Sequence, residues 1–303
     1  MILVLRALGV GDLAASVPAL RAVRAAFPAR TLALAAPAWL TPLIELIGGI
    51  DQIVPADGLD EPPRLSEPPE VAVNLHGRGP QSHRLLQSLE PAKLWAFASP
   101  AAGHLDGPGW VEEEHEVQRW CRLLGYYGLD ADPSDLSLAV PAADVPHGVT
   151  IVHPGAKSPS RRWPHFAQVA KRLAAAGHRV VVTGTEADLA ASVAADAGVP
   201  VLSTSLAELA GLVAHARLVV SGDTGIAHLA TAYGTPSVVL FGPVPPRRWG
   251  PPADRPYHRA IWHGTRADPG DAPGPEVHPA LLAIGVDEVL AEAEQAEHHA
   301  VAA

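Results

Sequence analysis

The 303-residue sequence holds one cysteine, few aromatic residues (5%) and fewer basic than acidic side chains, 22 against 32. A single thiol, Cys121, excludes an internal disulfide and a cysteine-built metal site, and is the usage expected of a reducing cytoplasm. A formal net charge of −10 without a basic face argues against a nucleic-acid or anionic-membrane surface, so any anion site has to be local. No basic segment precedes the opening Ile-Leu-Val-Leu, and no signal peptide is expected. Long unbroken apolar runs are missing too. The most apolar span, residues 31–50, is interrupted by Pro37, Pro42, Glu45 and Gly48-Gly49, which reads as strand, turn and short helix and gives no integral membrane contact.

What the chain does have is 31 prolines and 27 glycines, placed in bursts between short apolar segments. Strands are expected at 1–6, 31–36, 53–54, 71–75 and 93–98, with helices from Leu13, over 39–46 and over 112–127. Periodicity lapses over 130–147, where Pro133, Pro141 and Pro146 mark a linker. It then restarts, with strands at 150–152, 179–183, 201–202, 218–221 and 237–241 and helices at 164–176, 186–197, 206–214 and 226–233. Residues 242–275 read as Pro/Gly-rich coil, and a last helix over 286–297 precedes a frayed His298-His299 tail. This alternation predicts an α/β protein of two Rossmann-like parallel-sheet domains, 1–145 and 146–303, facing each other across the linker. Ligands of such sheets bind where the strands end.

Four junctions of that kind carry chemistry-bearing residues. Gly9-Val10-Gly11-Asp12-Leu13-Ala14 has the glycine spacing of a dinucleotide turn, but the second strand ends Leu-Ala-Ala-Pro. The acidic residue that would hold a ribose is absent, so the turn is read as holding Asp12 at the domain edge. His76-Gly77-Arg78-Gly79-Pro80 is a polar loop at the end of the fourth strand. His153 to Pro164 offers the Gly155 and Ala156 amides and three cations, Lys157, Arg161 and Arg162, in an otherwise acidic chain. Ser221-Gly222-Asp223-Thr224-Gly225 leads into an alanine-rich helix with His228 one turn in, which suits an anion at a helix N-terminus; capping by Asp223 or Thr224 is the plainer reading. Asp130-Ala131-Asp132 imitates a metal-binding pair of carboxylates, yet no strand aims it, and a solvated turn is expected there.

Taken together, these pieces make the sequence resemble glycosyltransferase family 9, the heptosyltransferase-like enzymes of the GT-B fold. The resemblance runs from Leu5 to about Pro251 through Gly-Val-Gly-Asp, Pro-Gly-Ala…Arg-Arg-Trp-Pro, Thr-Gly-Thr-Glu at 183–186 and Ser-Gly-Asp-Thr-Gly-Ile-Ala-His-Leu-Ala. It implies an N-terminal acceptor domain, with Gly11, His76 and Arg78 on the acceptor side, and a C-terminal domain for a nucleotide-diphosphate sugar. Asp12 matches the family's catalytic base, Arg161 a position usually lysine on the diphosphate, Glu186 a carboxylate near the nucleoside and Asp223 one near the sugar. Gly155, Ala156, Lys157, Thr224, Gly225 and His228 complete the donor contacts. The implied activity is inverting, metal-independent transfer of a sugar, ADP-heptose first among donors, to an acceptor hydroxyl, by a cytoplasmic monomer without cofactor. A nucleotide-sugar epimerase on the same fold and a nucleotide-sugar-binding protein without transfer activity are the alternatives.

Overall fold

The computed structural model describes residues 1–156, 158–265 and 274–302. Lys157, one of the expected donor contacts, lies outside them. Two compact units form, Met1–Ala139 and Val140–Ala303. The Pro-rich stretch between the domains is shared out rather than left free. Its first part is clamped to the first unit by Arg21, which pairs with Asp135 and donates to the Ser137 carbonyl at 2.7 Å. Its second part lies on the second unit, where Pro141, Ala143 and Val145 surround Gly211 so closely that a β-carbon there would meet Ala143 at 3.0 Å.

The first unit runs β1 (Ile2–Leu5), α1 (Val10–Ala15), α2 (Val17–Ala26), β2 (Leu32–Ala36), α3 (Thr41–Ile47), β3 (Gln52–Pro55), β4 (Val71–Asn74), α4 (Gln81–Gln87), β5 (Lys93–Trp95) and α5 (Glu116–Tyr126). Its five strands are parallel in the order β3-β2-β1-β4-β5. All four residues of β1 are fully buried, as a strand covered on both faces requires. The helix expected from Leu13 is two helices. Ser16 ends the first by donating its hydroxyl to the Leu13 carbonyl at 2.7 Å, and Pro18 sits at the start of the next, where a missing N–H is harmless. α4 has no counterpart in the hydrophobic pattern, because it buries Ser82 and His83 alongside Leu85 and Leu86. Buried Asn74 donates to the Ser82 hydroxyl at 2.9 Å. α5 starts about a turn later than expected, with the His115 ring accepting from the Val117 amide as its cap.

The second unit runs β6 (Thr150–His153), α6 (Phe166–Ala175), β7 (Val180–Val182), α7 (Ala187–Ala197), α8 (Leu206–Ala214), β8 (Leu218–Gly222), α9 (Gly225–Tyr233), β9 (Ser237–Leu240), α10 (Pro246–Trp249), β10 (His258–Ile261), α11 (Pro279–Leu282) and α12 (Val286–Ala302). The sheet is again five parallel strands, β10-β9-β8-β6-β7. Three expectations fail here. The strand at 201–202 is a single bridge between Val182 and Val201, and β10 arises inside the span read as coil, because two of its four residues face outward and mask the pattern. The tail is not frayed: α12 runs through His298-His299 to Ala302, held by buried Ala293 and Ala296 and by the Arg217–Glu297 ion pair. α6 begins at Phe166, two residues beyond Pro164, with Trp163 anchored through its indole N–H on the Ile284 carbonyl at 3.1 Å.

Each sheet is wound outward in both directions from its first strand. β1 lies between β2 and β4, and β6 between β7 and β8. The carboxyl ends of these strands are the switch points where a crevice opens in open α/β sheets.

Candidate functional site

At the end of β1 the chain turns through Ala7–Gly9 into α1, bringing Asp12 back over Arg6. Arg6 is 1% exposed, an unusual place for a guanidinium unless every donor is used. Its Nε donates to the Asp12 carbonyl at 2.9 Å, Nη1 to the Leu75 carbonyl, and Nη2 to Asp12 Oδ1 at 3.2 Å and Glu116 Oε1 at 3.1 Å. The second oxygen of Asp12 accepts from the Gly9 amide at 3.2 Å. Both oxygens are thereby oriented, while the side chain keeps 30% of its surface exposed.

His76 leaves the end of β4 beside this pair, its amide donating to Asn74 Oδ1 at 3.0 Å. Burial first, and then the Arg6 charge, push its pKa down to about 4 against the opposing pull of Asp12. A neutral imidazole, with Nδ1 buried and unpartnered, therefore sits in the field of the Arg6–Asp12 pair. Arg78 is not drawn into this group. It is exposed and lies 3.7 Å from Glu112. Gly11 is the second residue of α1, next to Asp12 in the turn.

In the second unit the loop after β6 and the turn after β8 lie side by side, because His153 and Ser221 are paired in the sheet. Arg161 Nη1 is 3.6 Å from Asp223 Oδ2, and a β-carbon on Gly222 would be 3.6 Å from the Arg161 carbonyl. Arg162 pairs with Glu186 and donates from Nε to the Ala156 carbonyl at 3.3 Å. A β-carbon on Gly155 would lie 3.8 Å from Glu186 Oε1 and 3.9 Å from His153 Nε2. The expected donor residues Gly155, Ala156, Arg161, Glu186 and Asp223 thus form one cluster. His153 joins it, its Nδ1 against the Thr183 hydroxyl at 2.9 Å and its pKa pushed down to about 4 by burial.

Thr224 occupies the N-cap position of α9 without a side-chain capping bond, its hydroxyl lying 3.5 Å from the Gly222 carbonyl. His228, one turn in, lies edge-on to Trp249 with ring centroids 5.8 Å apart. Asp132 is spent on its own turn, accepting from the Ser134 amide at 2.9 Å and hydroxyl at 2.7 Å. Arg6, Glu116 and His153 are the site residues that motif reading passed over.

The first unit thus presents an oriented carboxylate at the end of its first strand, and the second unit presents guanidinium groups beside glycines at the end of its own. The sequence matches glycosyltransferase family 9 (heptosyltransferase) over residues 111–266, more than half of the chain. Lipopolysaccharide heptosyltransferase 2 of Escherichia coli K12 is 26% identical across 96% of this chain and 97% of its own length. Among solved structures, E. coli ADP-heptose lps heptosyltransferase II superposes with a TM-score of 0.76 at 23% identity, covering 98% of both chains. A family 9 glycosyl transferase from Veillonella parvula gives 0.77 at 18% identity over 100% of this chain and 97% of that one. The fold is the expected α/β class, two five-stranded parallel sheets with helices, matching GT-B heptosyltransferase structures. The chain belongs to glycosyltransferase family 9, the heptosyltransferase family, and is a glycosyltransferase. No helix among the described residues is long and apolar enough to cross a membrane.

Proposed function

We propose that the protein transfers a heptose, or a closely related sugar, from ADP or a similar nucleoside diphosphate to an acceptor hydroxyl, with inversion and without a metal. The observation that carries this reading is Asp12: a carboxylate with both oxygens fixed and part of its surface open to an incoming hydroxyl. The acceptor binds the first unit, near Asp12, Gly11 and His76, with Arg78 at its outer edge. The donor binds the second unit. Gly155 keeps its backbone free of a side chain where a phosphate approaches, the first amides of α9 face an anion with their dipole, and Arg161 supplies a bidentate cation. Lys157, Thr224, Gly225 and His228 flank the diphosphate, Asp223 the sugar and Glu186 the nucleoside. We place the enzyme in the cytoplasm, as a monomer.

In the reaction the acceptor oxygen attacks the anomeric carbon on the face opposite the diphosphate and gives its proton to Asp12. The bond from that carbon to the diphosphate breaks, and its electron pair leaves with the phosphate. Arg161 and the helix N-terminus meet the charge that develops there, the work a divalent ion does in metal-dependent transferases. The relatives named for lipopolysaccharide heptosyl transfer make a lipopolysaccharide core the first acceptor to try. With ADP-heptose, that core should give ADP and a product of inverted anomeric configuration, at an undiminished rate in excess EDTA. Retention of configuration, or activity lost in EDTA and restored by Mg²⁺, counts against the mechanism. Isomerised donor formed without acceptor would favour an epimerase.

A further inference from the structure

Arg6 presents a charge problem that Asp12 alone does not solve. A buried guanidinium whose sole counter-ion were the catalytic carboxylate would oppose protonation of that carboxylate, since accepting a proton would strand the cation. Glu116, the first residue of α5, changes this. Its Oε1 accepts from Arg6 at 3.1 Å and from the Trp120 indole at 3.0 Å, and its Oε2 pairs with Arg119. Arg6, Arg119 and Glu116 are all nearly inaccessible, and Asp12 is the member of the group that meets solvent.

The two cations are also supported independently of Asp12. Arg6 lies 4.8 Å from the Trp120 ring centre and Arg119 4.2 Å from that of Trp110. Arg119 Nη2 donates to the carbonyls of Val111, Glu112 and Glu114 at 3.0, 3.2 and 3.0 Å, and Arg6 to that of Leu75. With Asp12 ionised the four groups sum to zero; with Asp12 protonated, one carboxylate remains between two buried guanidinium groups that keep their carbonyl and ring contacts.

We infer that Arg6 and Glu116 are positioning residues for Asp12: Arg6 aims the carboxylate, and Glu116 keeps the Arg6 charge balanced while Asp12 carries the proton. This rests on the reading of Asp12 as the base. The charged and titratable groups facing Asp12 are Arg6 from β1 and His76 from the loop after β4, with Glu116 and Arg119 of α5 acting through Arg6. His76, its pKa pushed down to about 4, is uncharged near neutral pH and takes up its proton only at the acid end of a titration.

The test uses opposite shifts, which general loosening of the fold cannot produce. In protein labelled with carboxyl-¹³C aspartate, the Asp12 resonance is assigned by its loss in Asp12→Asn and followed against pH. Glu116→Gln keeps the shape and removes a negative charge, so the Asp12 midpoint should fall by about one pH unit. Arg6→Gln removes the positive charge, and the midpoint should rise by about as much. Turnover of ADP-heptose with the lipopolysaccharide core should follow, the acid limb of kcat moving down in Glu116→Gln with kcat lowered about tenfold and the donor KM unchanged. Arg6→Lys should hold the midpoint near wild type and recover part of the kcat lost in Arg6→Gln; if Arg6→Gln does not fold, Glu116→Gln and Arg6→Lys decide. Unmoved midpoints, with Asp12→Asn inactive, overturn this inference and leave the base standing. Full turnover in Asp12→Asn overturns both.

Discussion

The same switch point of the same kind of sheet carries two different polar sites in the two units. In the first, Arg6, Glu116 and Arg119 are buried and bonded to one another, and a single carboxylate reaches solvent. In the second, the Arg161 and Asp223 side chains are 22% and 11% exposed and the Arg162 and Glu186 side chains 35% each, beside glycines and the buried, uncharged His153. Burial makes rearrangement of the first site costly, because any group pulled from its partner is left charged in a poor solvent. The second site loses little when its ion pairs open, since water and a ligand's phosphates replace them. The contrast suits the proposed roles: a general base needs constancy of geometry, and a donor site has to trade internal partners for the donor's.

The sharpest way to break this contrast is to damage each side and ask which kinetic quantity moves. Asp12→Asn should lower kcat by about 10²–10⁴-fold, the usual contribution of a general base, while ADP affinity measured by calorimetry stays within about twofold. Arg161→Ala should do the reverse, weakening ADP by about tenfold or more through loss of a charge-assisted hydrogen bond, with Arg161→Lys recovering part. If Asp12→Asn weakened ADP as much as Arg161→Ala did, the division of labour between the units would be wrong.

A subtler probe is Gly155. A β-carbon added there meets Glu186 Oε1 at 3.8 Å and His153 Nε2 at 3.9 Å, ordinary contacts with side-chain ends, and the residue does not adopt a positive φ. Gly155→Ala should therefore leave the melting temperature nearly unchanged yet weaken ADP by about tenfold, because the methyl occupies the approach to the backbone. A parallel loss of stability and binding would mark Gly155 as a packing residue.

How much of this was legible in sequence follows from how the contacts are made. Asp12, Gly155, Asp223 and the Gly225 helix start lie at strand-to-helix junctions, where position in a short motif already sets position in space. The Arg6–Glu116 bond joins residues 110 positions apart, and nothing local announces it. Arg6 closes a run of core residues, Ile2 to Leu5, and reads as the polar end of a strand. A charge set directly on a fully buried strand was the available hint, as was the i, i+4 spacing of Glu116 and Trp120. The missed α4 and β10 both depart from the apolar pattern: α4 buries Ser82 and His83, and β10 buries His258 while two of its four residues face outward, so hydrophobic periodicity under-reports them. The Arg162–Glu186 pair, by contrast, needed the β6–β7 register before either residue had a partner.

The smallest effect expected is on stability, and both units contribute, His76 in the first being pushed down to about 4 as well. His153 and His258, both in the second, are held neutral by burial, with pKa values pushed down to about 4 from 6.5. Between those values the unfolded chain binds protons that the folded chain does not, so stability is present above about 6.5 and is lost as pH falls toward about 4. Each histidine contributes a slope of at most about 1.4 kcal/mol per pH unit. Chemical denaturation across that window should show the loss, and His153→Gln should remove part of the slope whatever it does to stability at neutral pH. An unchanged slope would mean that His153 takes up its proton in the folded protein, and the neutral imidazole beside Gly155 would have to be abandoned.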